Sequence, residues 1–161
     1  YTRSDAFVAP PEILEFAGSD MVCYRAEAPQ GLVIRQATHW DPVVAWVESE
    51  LGARFATVST LTHMRQSDAA LAAIEKHILA LDTFTFAAVH NLTTLTGSAL
   101  LAIMLAADGV SAENAWAAAN VDEDWQIETW GRDDEAMARR AGRHAEFSSC
   151  VKFARLAANR V

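Results

Sequence analysis

"FAAVHNLTTLTGSALLAIMLAA", from Phe86 to Ala107, is the stretch whose reading decides the fold. Apolar residues fall on nearly every side of a 3.6-residue helix here, and a helix apolar all round belongs inside a protein or a bilayer. His90, Asn91, Thr93, Thr94 and Thr96 interrupt it. A bilayer asks for about 20 predominantly apolar residues, so the segment reads as a buried central helix and membrane insertion is not expected. Asp82 opens this helix, and Asp108 with Gly109 end it. The threonine hydroxyls are expected to bond back to carbonyls one turn earlier, and Gly97 with Ser98 to let another helix come close.

A buried helix needs others around it, and the flanking sequence supplies them. "APPEILEFAGSD" offers Pro10 and Pro11 as openers, Ile13, Leu14 and Phe16 as contacts and Gly18 as a stop. "THWDPVVAWVESELG" predicts a helix capped by Asp41, with Pro42 at its first position and Gly52 ending it. "QSDAALAAIEKHILAL" restarts at Ser67, with Leu71, Ile74, Ile78 and Leu81 at helical spacing. Ser111 opens a short amphipathic segment, and "DDEAMARRAGRHAEFSSCVKFARLAANR" closes the chain as one long amphipathic helix. "MVCYRAE" and "RFATVST" are β-prone, but one or two isolated strands do not make a sheet protein. The expected class is therefore mainly α: a multi-helix domain around a central apolar helix, with one or two short β segments.

Composition narrows the function. A chain of 161 residues with 52% hydrophobic residues can bury one proper core. Its formal net charge of −8 leaves no excess of Lys and Arg to displace counterions, so nucleic acid is not expected as a partner. Cys23 and Cys150 show no CxxC or Cys/His ligand spacing and read as free thiols of a reducing compartment, with one disulfide between them left open. The opening residues "YTRSDAFVAPPEILEF" have neither the architecture of a signal peptide nor that of a presequence.

Catalytic motifs are missing: no GxSxG, GxxxxGK[ST], HExxH or GxGxxG, and no Glu-x-x-His pair. Ser149 and Lys152 satisfy SxxK without the SDN and KTG elements that give it meaning. "NLT" at Asn91 is a formal glycosylation sequon within the apolar helix. No catalytic residue, metal ligand or cofactor is indicated.

One stretch stands out. "VDEDWQIETWG", Val121 to Gly131, sets three acids in a row before a tryptophan. As structure, Asn120 and Glu123 would form an N-x-x-E cap, the acids would sit at a helix N-terminus favoured by its dipole, and Trp125 would anchor the helix to the core. A cap is worth about 1 kcal/mol and needs one residue, so three acids exceed it. As function, carboxylates beside an indole make a mixed surface for a partner's Arg, Lys or backbone donors. The rival class is a metal-dependent hydrolase using Asp122, Glu123 and Asp124.

"SDMVCYRAE" (19–27), "QATHWDPVVAWVESELGARFAT" (36–57), "LTTLTGSALLAIMLA" (92–106), "VDEDWQIETWG" (121–131) and "AEFSSCVKFARL" (145–156) together resemble the C-terminal domain of the assembly chaperones of F-type ATP synthase, the mitochondrial ATPase assembly factor 2 family. The resemblance runs from about Gly18 to Leu156. It implies a non-enzyme that holds the free α subunit of the soluble catalytic hexamer until a β subunit replaces it. It places the partner-binding role on Asp122 first, then Glu123 and Asp124, with Trp125, Gln126 and Trp130 completing the motif. Family members carry a β-rich domain ahead of the helical one, so residues 1–17 read as a leading segment from that domain or a linker, and 18–161 as the helical chaperone domain. The implied setting is the cytoplasm for a bacterial relative and the mitochondrial matrix for eukaryotic ones. A one-to-one complex needs only a monomer. A purely structural domain that helps the β-rich part fold is a third reading.

Overall fold

The structure, a computed structural model, describes residues 10–59 and 62–159. Of the leading segment expected over residues 1–17, residues 1–9 lie outside the described part. The described residues form α1 (Pro10–Gly18), a single 3₁₀ turn (Met21–Cys23), α2 (Gln30–Leu51), α3 (Asp68–Leu79), α4 (Thr83–Thr96), α5 (Ala99–Ala106), α6 (Ala112–Ala119), α7 (Val121–Trp130) and α8 (Asp134–Ala158). The protein is mainly α, and its β-prone runs meet in one isolated parallel bridge between Tyr24 and Val58.

The apolar stretch is two helices, not one. Gly97 has a φ of 78°, which a residue without Cβ adopts freely, and its N–H returns to the Thr93 carbonyl to close α4. Ser98 then caps α5, its hydroxyl accepting from the Leu101 amide at 3.1 Å. A helix stop and a helix start therefore sit back to back inside a continuous run of apolar residues. In α5, Ala99 through Leu105 are all buried, and this short helix is the centre around which the others pack. The threonines behave as expected, Thr93, Thr94 and Thr96 donating to the carbonyls of Val89, His90 and Leu92. His90 and Asn91 face outward instead, and the His90 imidazole lies 2.7 Å from the Glu12 carboxylate.

The start of α2 also differs from expectation. It begins at Gln30 and runs straight through Pro42. A proline in a helix interior costs about 3 kcal/mol. Burial offsets it: Gln36, Trp40, Val43 and Val47 form one covered stripe at spacings of three and four, and the Trp40 indole N–H donates to the Ala118 carbonyl at 2.8 Å. The expected ends of α3 and α6 hold, with Ser67 and Ser111 accepting from the amides of Ala70 and Asn114. In α1, Ile13 and Ala17 are fully buried in the same core.

Asp20 ties the front of the chain to its centre. It is completely buried; its carboxylate accepts from the Ser98 hydroxyl at 2.5 Å, the Leu100 amide at 3.0 Å and the Val22 amide at 3.3 Å. Burial pushes its pKa up to about 6, although the three donors pull the other way.

Both cysteines are free thiols. Burial and the neighbouring Asp20 carboxylate push Cys23 up to about 12. Because the thiolate is the reactive form, iodoacetamide at pH 8 is expected to leave Cys23 unlabelled in the folded protein and to label it after guanidinium unfolding. Mass spectrometry of tryptic peptides reads this directly; rapid native labelling would contradict the packing. Among the described residues no helix is long and apolar enough to cross a membrane.

Candidate functional site: the acidic helix and its groove

The acidic stretch forms α7, and its helical period distributes the motif over three directions. Asp122, Gln126 and Trp130, four residues apart, occupy one outward row; all three are exposed, Trp130 to 84%. Glu123 and Asp124 face α8. There Arg140 lies 2.5 Å from Asp124 and 3.5 Å from Glu123, and Arg143 donates to Glu123 at 3.0 Å. Trp125 turns to α2, where the edge of its indole rests on the Cα of Gly31 and the Arg35 guanidinium stacks 5.2 Å from its ring centre. Arg35 also pairs with Glu128 at 2.8 Å, which holds the Glu128 carboxyl below its ordinary range.

The expected capping box does not form. The Asn120 side chain donates to the Trp116 carbonyl rather than capping α7, and Glu123 is drawn away by Arg143. Two arginines one helical turn apart on α8 compete better for that carboxylate than a backbone N–H does. Trp125 is half-buried between helices rather than sunk in the core.

Asp122 has a different task. One of its oxygens accepts from the Gln36 amide at 2.8 Å, and the Gln36 carbonyl in turn accepts from the Ala26 backbone N–H at 2.7 Å. Gln36 is buried, so it locks α7 to the extended segment after the 3₁₀ turn. Between them runs an open groove of about 770 Å³, whose lining includes Arg25, Glu27, Gln36, Ser59, Asp122 and Gln126. The Arg25 guanidinium beside it is 2.6 Å from Asp41 and stacks on Trp40.

Sequence reasoning found α7 but missed its supports. Gln36, Gly31, Arg35, Arg140 and Arg143 carry no motif of their own. The "ARRAGRH" run, basic at helical spacing, is a signal that could have found Arg140 and Arg143; nothing in the sequence marks the other three. Among the described residues no group of three or more His, Cys, Asp or Glu side chains converges as a metal site.

Residues 4–48 match the sequence profile of the ATP12 chaperone protein family. The whole fold matches Atp12 from Paracoccus denitrificans with a TM-score of 0.88 at 34% identity, over 92% of this chain and 64% of that one. The chain is similar to the ATP12 chaperones, in fold over nearly its whole length and in sequence profile over residues 4–48. A candidate chaperone from Agrobacterium tumefaciens gives the same TM-score of 0.88 at 43% identity, over 95% of this chain and 57% of that one. A variant of the Paracoccus protein with one aspartate replaced by lysine matches equally well. This chain spans about three fifths of the length of these structures. Within the ATP12 fold, two of the segments that carry the resemblance meet: Asp20 of "SDMVCYRAE" grips Ser98 and Leu100 of "LTTLTGSALLAIMLA".

Proposed function

We propose that this chain acts as an assembly chaperone of F-type ATP synthase, holding the free α subunit until a β subunit replaces it. The observation that carries the reading is the outward row Asp122, Gln126 and Trp130 beside the groove. A tryptophan 84% exposed at the end of a helix fills no core and adds apolar area that favours a second protein surface. In this reading Asp122, Gln126 and Trp130 touch the partner. Glu123, Asp124 and Trp125 position the row through α8 and α2. A free subunit exposes the apolar surface that its neighbour normally covers, and reversible cover prevents its association. The chain works as a monomer in a one-to-one complex, in a reducing compartment such as the bacterial cytoplasm.

The hydrolase reading has less support, because Glu123 has both oxygens and Asp124 one oxygen on arginines, and the acids do not converge as a metal site among the described residues.

Size-exclusion chromatography with light scattering, using purified α and β subunits, tests the proposal. Co-elution with α and not with β is expected; no complex with α overturns it. Asp122→Lys is expected to weaken α capture by about thirtyfold, or about 2 kcal/mol, through charge reversal at the centre of the row. Its stability should fall by about 1–3 kcal/mol, since the buried Gln36 amide loses its acceptor, and the comparison is made where the variant remains folded. Unaltered capture by the variant would remove Asp122 from the interface.

A further inference from the structure

The bridge between Tyr24 and Val58 leaves one edge open. In the pairing, the Val58 amide donates to the Cys23 carbonyl and the Val58 carbonyl accepts from the Arg25 amide, both at 2.8 Å. In extended backbone the polar groups of alternate residues point to opposite sides, so those of Thr57 and Ser59 point away from this pair. Nothing else takes them up: among the described residues, neither Thr57 nor Ser59 makes a hydrogen bond, and both are exposed. The neighbouring positions are handled otherwise. Ala56 has both backbone groups bonded by the Gln66 side-chain amide, at 3.0 and 2.9 Å, and the Ala26 N–H is closed by Gln36. Glutamines thus close those groups on the other sides of the pair, and the groups at 57 and 59 stay free among the described residues.

Proteins normally blunt such an edge with lysine, proline or a covering loop. "ATVS", residues 56–59, has neither lysine nor proline. Ser59 also lines the groove, whose two exposed carboxylates, Glu27 and Asp122, make no ion pair among the described residues; Arg25, the one basic residue there, pairs with Asp41 through Nη1. An incoming segment therefore meets main-chain donors and acceptors at the edge and negative charge beside it.

We propose that the edge at Thr57–Ser59 receives an extended segment of the α subunit carrying a basic side chain, added as a strand, with the basic group placed between Glu27 and Asp122. This rests on the partner reading given above and specifies the contact it uses. Backbone pairing supplies affinity that tolerates varied sequence, and the carboxylates select for positive charge.

Thr57→Pro and Ser59→Pro each remove one edge N–H without touching an internal bond, whereas Thr57→Ala and Ser59→Ala keep it. In binding assays with purified α subunit, each proline variant is expected to bind about tenfold more weakly, and each alanine variant as the wild type does. Hydrogen exchange on the wild-type chain gives a readout that no variant's folding can disturb: the amides of Thr57 and Ser59 should slow when α is added. Capture of α with equal affinity by the proline variants, or unslowed exchange at both amides in the complex, overturns the edge and leaves the partner reading standing. Failure of the wild-type chain to bind α removes both.

Discussion

Asp20→Ala is expected to lower the unfolding free energy by about 3–5 kcal/mol near pH 5, the largest loss of any single substitution outside the apolar core. The change strands three donors at once, the Ser98 hydroxyl and the amides of Leu100 and Val22, in a site with no solvent. Each buried donor left without a partner costs about 1–3 kcal/mol. The loss should also depend on pH, with a definite sign. The carboxyl titrates at about 6 when folded, against an ordinary value of 3.8, so between these values the folded state binds more protons than the unfolded one. The contribution of Asp20 is therefore greatest below about pH 4 and falls as pH rises towards 6, by about 3 kcal/mol at 1.36 kcal/mol per pKa unit. Chemical denaturation of the wild type and of Asp20→Asn across pH 4–7 isolates this slope, because the amide does not titrate and the other carboxylates cancel in the difference. A difference curve that rises with pH would mean that the three donors outweigh burial.

How much of this was legible in the sequence divides along physical lines. Local signals were read correctly where they act alone: Ser67 and Ser111 cap α3 and α6 because a side-chain oxygen next to its own helix needs nothing from the rest of the chain. The break at Gly97–Ser98 was also written in the sequence, as a C-cap glycine followed by an N-cap serine. It was overridden by the apolar run on either side, since hydrophobicity reports burial and says little about where one buried helix ends and the next begins. Pro42 misled in the opposite way. Its preference for a first turn was outweighed by the stripe from Gln36 to Val47, which only tertiary packing rewards. For the site, the acidic helix was visible and its wiring was not. Whether Glu123 caps α7 or pairs with Arg143 depends on how α8 lies across α7, twenty residues on in sequence and fixed by the core. Asp122 and Gln36 are further apart still, at 86 residues, and no spacing rule connects them.

Gly31→Leu is expected to cost about 2–3 kcal/mol in stability and to reduce α-subunit capture more than tenfold, although Gly31 is exposed and lies in the first turn of α2, where leucine is ordinarily the better helix former. A Cβ there would stand 2.7 Å from Cη2 and 3.1 Å from Cζ3 of Trp125, so any side chain evicts the indole. The indole cannot swing aside without breaking its stack on Arg35 and straining the Arg35–Glu128 pair. Helix α7 has little else to hold it, since Val121 is its single buried residue and its remaining ties are the Asp122–Gln36 hydrogen bond and the ion pairs to Arg140 and Arg143. Such pairs, partly exposed, contribute only about 1 kcal/mol or less each and weaken in salt. Losing Trp125 should therefore let α7 leave α2, carrying Asp122, Gln126 and Trp130 away from the groove. A double-mutant cycle separates this from a general helix effect. In a Trp125→Ala background the leucine has no ring to strike, so Gly31→Leu should cost less than about 1 kcal/mol there. Equal costs in the two backgrounds would mean that Gly31 serves α2 itself and that the acidic row is held in place by Gln36 and α8.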